Sequence, residues 1–402
     1  MAALSSIDST GSCELESHAT SDGEIIGRVE LPEDASAVLR GGEAAKAADY
    51  ANYFCSYSFL YHQKQMLTDQ QRMHAYHSAV MKNTALFEGK TVVDVGAGSG
   101  ILSVWSAQAG ASKVWAVEYT NMAKYAIDLV KCNGVHNVVT VVKGAIEELE
   151  LPPQSVDVMI SEWMGYFLLR ESMLDSLIRA RDRLLKPGGV MMPSGASMLW
   201  CPIECEQDRI RKDEEQAETM HDWKTFTDET AANYGVDMTC LEAAYAKEQH
   251  EYFSLSSQWM ELDGEQVVST PVVVKSFDLN TCTIADALGV DNASFSFTVD
   301  KASRVSAFAG WFDAVFAGSP SSPCTEVVTL STHPRVGYTH WGQQVFFLED
   351  AIDLEPEDEL VGTMSMYRTK DSARLYHVAV NYRVERKNGS VFAPVNLIYE
   401  IP

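Results

Sequence analysis

The sequence predicts a parallel, doubly wound α/β domain followed by an antiparallel β-barrel or sandwich. Short apolar runs alternate with helical periodicity between residues 85 and 193. After Ser194 the hydrophobic period falls to two, with Gly, Pro and Asp at the turns. Between the two regions, Glu204 to Glu242 is charged and helical in character but has only a thin apolar stripe. The chain of 402 residues, 46% hydrophobic, is long enough to bury the cores such domains need.

Residues 1–47 are rich in Ser, Ala, Gly and acids and poor in aromatics, the composition of a disordered or loosely attached acidic tail. At Asp49 the character changes, and Asp49–Tyr61 is crowded with aromatic rings. It runs into Leu67–Met73, where Thr68 or Asp69 can cap a helix reaching about Lys82. Strands are then expected at Thr91–Val95, Val114–Val117, Val138–Val142 and Val156–Ile160. Helices are expected at Ile101–Ala109, stopped by Gly110, at Met122–Lys131, and at Leu174–Leu185, ended by Lys186-Pro187-Gly188-Gly189. Buried strands joined by helices at this spacing imply a parallel sheet. Further on, Ser294–Val299, Arg304–Phe316, Gln343–Leu348 and His377–Val384 alternate as half-buried strands.

The formal charge of −25 disfavours binding along a nucleic-acid backbone, which calls for a basic stripe, and favours cationic partners. The eight cysteines lack paired zinc-site spacing and read as reduced thiols, so no metal is expected. The N-terminus has no signal-peptide pattern, and no run of about 18 apolar residues could span a bilayer. A cytoplasmic or nuclear protein without a membrane partner is the expectation.

Asp94-Val95-Gly96-Ala97-Gly98-Ser99-Gly100-Ile101 follows a predicted strand and opens a predicted helix. There, glycines let the backbone approach a ligand, and the helix N-terminus offers unpaired N–H groups. Alone it also fits an ordinary tight turn. Glu118, about twenty residues on at the end of the next strand, adds an acid placed to hold ribose hydroxyls. A dinucleotide fingerprint would want Gly or Ala at Ile101. After the fourth strand, Glu162 and Glu171 bracket eight mostly apolar and aromatic residues, including Trp163, Tyr166 and Phe167. Two carboxylates in an aromatic-walled hairpin suit a planar cation such as guanidinium.

Taken together, these motifs resemble those of type I protein arginine N-methyltransferases. Val93–Gly100 resembles the family's cofactor loop, Glu162–Glu171 its double-E loop, Tyr338-Thr339-His340-Trp341 its Thr-His-Trp loop, and Tyr53-Phe54-x-x-Tyr57 its N-terminal aromatic motif. The resemblance runs in the expected order from about Tyr50 to the C-terminus.

It implies a class I S-adenosylmethionine-dependent methyltransferase (Rossmann-like) domain over 85–193. Residues 48–84 would form helices covering the cofactor, and 194–402 a β-barrel substrate domain with a dimerisation arm over about 204–242. It further implies that Glu162 and Glu171 grip the substrate guanidinium with His340, paired with Asp69, beside them. Gly96 and Gly98 would approach S-adenosyl-L-methionine, Glu118 bind its ribose, Glu147 approach its adenine, and Arg72 and His62 reach its methionine end. Tyr57, Met66, Tyr166, Met173 and Trp341 would line the substrate pocket.

The implied reaction gives monomethyl- and asymmetric dimethylarginine on Arg-rich proteins such as histone tails and RNA-binding proteins, in a homodimer. No zinc-finger or SH3 module is expected ahead of the core. A small-molecule methyltransferase is disfavoured by the paired acids with Thr-His-Trp, and a silent scaffold for Arg-rich proteins by the intact acids and glycine loop.

Overall fold

The computed structural model describes residues 53–369 and 372–401. The acidic tail read over 1–47 and the first residues of the aromatic segment, Asp49–Asn52, lie outside the described residues. The described part of that segment makes a helical turn, Cys55–Tyr57, followed by α1 (Leu60–Thr68) and α2 (Gln70–Met81). Of the two candidate caps, Asp69 is the one used. Its carboxylate accepts the Arg72 N–H at 3.0 Å, whereas the Thr68 hydroxyl turns back to the Gln65 carbonyl.

The parallel sheet holds β1 (Thr91–Val95), β2 (Lys113–Glu118), β3 (Val139–Lys143), β4 (Val156–Ser161) and β5 (Leu185–Met192) in the order 3-2-1-4-5. Helices α3 (Ile101–Gln108), α4 (Ala123–Cys132) and α5 (Leu174–Leu184) connect them. Central β1 and β4 are almost wholly buried, which is why their sequences are continuous apolar runs. Growth of the sheet reverses between β1 and β4, so the loops leaving these two neighbours flank a topological switch point.

One expectation is corrected here. Lys186–Gly189 is not a stop after the helix but part of β5, which begins directly at Leu185. Leu185 pairs with Val156 and Val190 with Val158, so Lys186–Gly189 bulges out of the ladder. Pro187 is tolerated because β5 is an edge strand.

The C-terminal region begins with β6 (Gly195–Ile203), from which a helical pair departs: α6 (Glu206–Tyr234) and α7 (Glu242–Ser254). The arm expected over about 204–242 therefore continues to Ser254. The Trp223 ring stacks on Tyr245 at 4.1 Å, holding α7 against α6. Strands β7 (Gln258–Met260), β8 (Val272–Asp278), β9 (Gly289–Thr298), β10 (Ser303–Ser319), β11 (Ser322–Ser331), β12 (Gln343–Leu354), β13 (Glu359–Arg368), β14 (Tyr376–Glu385) and β15 (Val395–Ile401) complete it.

They form two antiparallel sheets, 7-12-10-6-8 with β11 on β10, and 15-14-13-9. Phe308 of β10 meets Phe295 of β9 and Tyr382 of β14, and Phe346 of β12 meets Tyr399 of β15. The two sheets thus close over one aromatic interior, which is the driving force for their association.

Candidate functional site

The loop after β1 turns on Gly96, Gly98 and Gly100, all at positive φ. The Gly96 and Ala97 N–H groups bond the Val117 carbonyl of β2, which fixes the loop to the sheet. A Cβ on Gly98 would lie 2.9 Å from Gln63 Oε1, and one on Gly96 would strike the Met173 methyl. The loop is therefore enclosed by α1 on one side and the start of α5 on the other.

Glu118 ends β2 with both oxygens aimed at backbone, accepting from Gly98 N–H at 2.8 Å and Thr120 N–H at 2.6 Å. Each oxygen keeps lone-pair capacity for a ligand hydroxyl. Glu147 sits on the turn Ile146–Glu148, its carbonyl held by Arg183, while its Oε1 is buried without a hydrogen-bond partner. An orphaned acceptor on a cavity wall fits the amino group of a bound base. Asp94, at the head of the loop, is fully buried, and burial pushes its carboxyl up to about 7 against a hydrogen bond from Ser103.

The segment after β4 is a tight hairpin closed by reciprocal Gly165–Leu168 backbone bonds. Trp163, Phe167 and Leu168 are buried within it, and Phe167, Leu168, Glu171 and Ser172 all take positive φ. Each such non-glycine residue costs on the order of 1 kcal/mol or more and persists only where its surroundings impose it. The result is that Glu162 and Glu171 face a single cavity. Glu162 accepts from the Arg72 guanidinium at 3.0 and 3.2 Å. Glu171 accepts from the Tyr53 hydroxyl at 2.8 Å and the Tyr57 hydroxyl at 3.0 Å. Burial raises the Glu171 carboxyl above its ordinary range; the tyrosine bonds and Arg170 oppose this, and the charge of Glu162 adds to it. Two half-buried acids, one on Arg72 and the other on two neutral phenols with Arg170 3.7 Å away, have lone-pair capacity left for a further cation.

His340 completes the wall. Its Nδ1 lies 2.7 Å from Asp69 Oδ2, and its backbone N–H donates to the same oxygen. Burial would raise the Asp69 carboxyl, but the hydrogen bonds from His340 and Arg72 outweigh it and hold it below its usual range. The cap of α2 is thus also the bolt of the Thr-His-Trp loop. Trp341 packs beside His340, and its indole N–H donates to the Met164 carbonyl at 2.8 Å, tying this loop to the hairpin. Burial, with the neighbouring His340, lowers the His62 imidazole.

One cavity of about 720 Å³ is lined by the acid pair, His340, Gly96 and Gly98, Glu118, Glu147, His62, Arg72 and the five pocket residues Tyr57, Met66, Tyr166, Met173 and Trp341, with Asp69 behind His340. Three further residues gain a site role from the structure. Gln63 covers Gly98, Tyr53 bonds Glu171, and Arg374 reaches in from the β13–β14 loop. Tyr53 is marked by its motif, whereas nothing local in the sequence distinguishes Gln63 or Arg374.

Two family descriptions match the chain: a methyltransferase domain over residues 93–192 and an arginine methyltransferase oligomerization subdomain over 209–387. Protein arginine N-methyltransferase PRMT10 of Arabidopsis thaliana is 47% identical, over 87% of this chain and 92% of the relative. The crystal structure of Arabidopsis thaliana protein arginine methyltransferase 10, described as a uniquely open conformation, superposes with a TM-score of 0.84 at 45% identity, covering 87% of this chain and all of that one. A Trypanosoma brucei PRMT1 enzyme–prozyme heterotetramer with AdoHcy matches at TM-score 0.71 and 29% identity, over 86% of this chain and all of that one. The likeness read from Tyr61–Leu67 and Thr339–Phe346, which look most like the plant-type protein arginine methyltransferase ten, agrees with these matches.

Proposed function

The chain belongs to the protein arginine N-methyltransferase family, and from that premise we propose a type I enzyme, taking protein arginine to monomethyl- and then asymmetric dimethylarginine. S-adenosyl-L-methionine is the methyl donor. The observation that carries the substrate reading is the convergence of Glu162 and Glu171 on one aromatic-walled cavity shared with the glycine loop.

Arginine has a pKa above about 12, so it arrives as a delocalised cation without a nucleophilic lone pair. Glu162 and Glu171 hold one side of the guanidinium and draw positive charge toward the nitrogens they bind. The remaining terminal nitrogen is left richer in electron density and aimed at the cofactor side of the cavity. In this partly enclosed site the attraction is screened less than in open water, and the carboxylates stabilise the cation throughout.

Glu118 is assigned to the cofactor's ribose, Glu147 Oε1 to its adenine, and Arg72 with His62 to its methionine end. When bound, the cofactor supplies an electrophilic methyl group on a sulfonium. His340, with Nδ1 held on ionised Asp69, presents its other ring nitrogen to accept the proton released. The −25 charge supports attraction of Arg-rich proteins, with histone tails and RNA-binding proteins as proposed substrates.

Asymmetric product is supported by Met66 and Met173, flexible thioethers that make room for an already methylated nitrogen. The test is amino-acid analysis of an Arg-rich protein after incubation with enzyme and methyl-labelled cofactor. Asymmetric dimethylarginine is expected, and Met173→Phe shifts the product toward monomethylarginine. Symmetric dimethylarginine from the wild type would refute the type I reading.

A further inference from the structure

Glu171 is held from outside its own loop. The β13–β14 connection, pinned by a Thr369 N–H bond to the Leu375 carbonyl, lays Ala373 and Arg374 along the backbone of Glu171 and Ser172. The Glu171 N–H donates to the Arg374 carbonyl at 2.9 Å, and the Arg374 guanidinium donates back to the Glu171 carbonyl at 2.5 Å. Ser172 Oγ bonds the Ala373 carbonyl and lies 3.1 Å from the Tyr376 hydroxyl. That hydroxyl accepts from Arg368 Nε, and Arg368 is buried and bidentate on Asp175 of α5. The connection is therefore anchored to the very helix that the acid loop enters, and a strained pair of residues is fixed at both ends.

The same guanidinium has a second engagement. Its carbon lies 4.0 Å from the Tyr53 ring centroid and 4.9 Å from that of Phe54. Tyr53 donates its hydroxyl to the Glu171 carboxylate, and Phe54 packs on Tyr119, the residue after Glu118. Arg374 thus touches the backbone of the acid loop and both rings of the aromatic lid, while the Glu171 carboxylate itself is met by Tyr53, Tyr57 and Arg170. A planar fork does both tasks at once; a lysine ammonium cannot.

We propose that Arg374 is a positioning residue that registers Glu171 against the aromatic lid, so that ordering of the lid over the cofactor and presentation of the guanidinium-binding carboxylate are one event. The inference rests on the assignment of Glu171 to the substrate. Its consequence is a reciprocal coupling: cofactor product and arginine peptide each bind more tightly when the other is present, through Arg374.

The experiment compares full-length wild type, Arg374→Ala and Arg374→Lys. Calorimetry measures S-adenosylhomocysteine affinity with and without an Arg-rich peptide, and steady-state assays give kcat and KM. In Arg374→Ala, kcat should fall about 100-fold, the scale of misplacing a reacting group by an ångström. The ratio of the two affinities should collapse toward one. Arg374→Lys, which keeps charge and a donor, should fold as the wild type does and recover only part of both; it serves alone if the alanine variant is unstable, and wild-type coupling in it would count against the proposal. A kcat within threefold of wild type in Arg374→Ala, or a coupling ratio equal to that of the wild type, overturns the clamp. A wild-type protein that methylates no arginine overturns the substrate reading, and the clamp with it.

Discussion

Glu171 carries its charge where burial opposes it, and that gives a test separating catalysis from stability. Its folded carboxyl is raised above the ordinary value of 4.5. The fold therefore favours the protonated form: no penalty exists below the unfolded pKa, and one accumulates as pH rises through the raised value. Glu171→Gln should accordingly raise Tm at pH 7.5, with the gain vanishing toward pH 4, as scanning calorimetry across pH would show. The same substitution, like Glu162→Gln, should lower kcat by at least about 100-fold, roughly 3 kcal/mol of transition-state stabilisation. Cofactor affinity in Glu171→Gln should stay nearly unchanged, whereas Glu118→Ala should weaken it. Near-normal turnover in either glutamine variant would remove the acid pair from the mechanism. A Glu171→Gln protein less stable than wild type at neutral pH would show instead that the Tyr53 and Tyr57 bonds dominate. At this scale the sequence is most legible where a motif carries its own chemistry. Glu162, Glu171 and Glu118 are marked by neighbours in the chain; Gln63 and Arg374 gain their places only from segments distant in sequence.

Among elements, Asp69 joins two that the sequence lists far apart. Its carboxylate caps α2 through Arg72 N–H and bolts the Thr-His-Trp loop through His340. Asp69→Asn keeps a cap and should leave Tm within a few degrees while lowering kcat, because a neutral amide no longer holds His340 Nδ1 and its backbone N–H with a charged acceptor. Asp69→Ala also loses the cap and should cost about a further 1 kcal/mol of stability in chemical denaturation. Equal kcat in the wild type and Asp69→Asn would mean His340 needs no charged partner. Local pattern predicts elements well where burial and periodicity agree, as in β1 and β4. It misleads at β5, where Pro187 and two glycines look like a turn but form a bulge on an edge strand. In β13, Leu360, Met364 and Met366 are buried in alternation, but Arg368 continues the buried row and disguises the period. That arginine is satisfied by Asp175, a partner no local reading supplies.

For the whole molecule, the arm is the feature that does not close on itself. Helix α6 has 29 residues, on the order of 43 Å of helix, with Lys212 its one buried residue among those described. Pairs such as Arg209–Asp213 and Lys224–Asp228 support it in solvent, each by a few tenths of a kcal/mol at most (about 0.3–0.5). At the tip, Phe226 is 47% and Tyr234 78% exposed, with Val236 and Leu241 also open. An apolar group of this kind marks an interaction surface. The arm lies largely within residues 209–387, the range that matches an arginine methyltransferase oligomerization subdomain. A second exposed apolar group lies on the same chain, Phe59, Leu60 and Tyr61 at the start of α1. An arm that docks on α1 of a second copy, and receives that copy's arm in return, makes a closed two-fold pair. It would press the lid toward the cofactor, so assembly and catalysis should fail together. Phe226→Asp with Tyr234→Asp should convert dimer to monomer by light scattering, with a fall in kcat/KM of roughly tenfold or more. Both changes lie on exposed positions, so the Tm of the monomer should stay that of a folded chain. Leu60→Asp on the receiving surface should reproduce the same monomer without touching the arm. Wild-type protein that is monomeric at micromolar concentration and fully active would exclude this assembly, and a doubly substituted protein that remains dimeric would place the interface elsewhere.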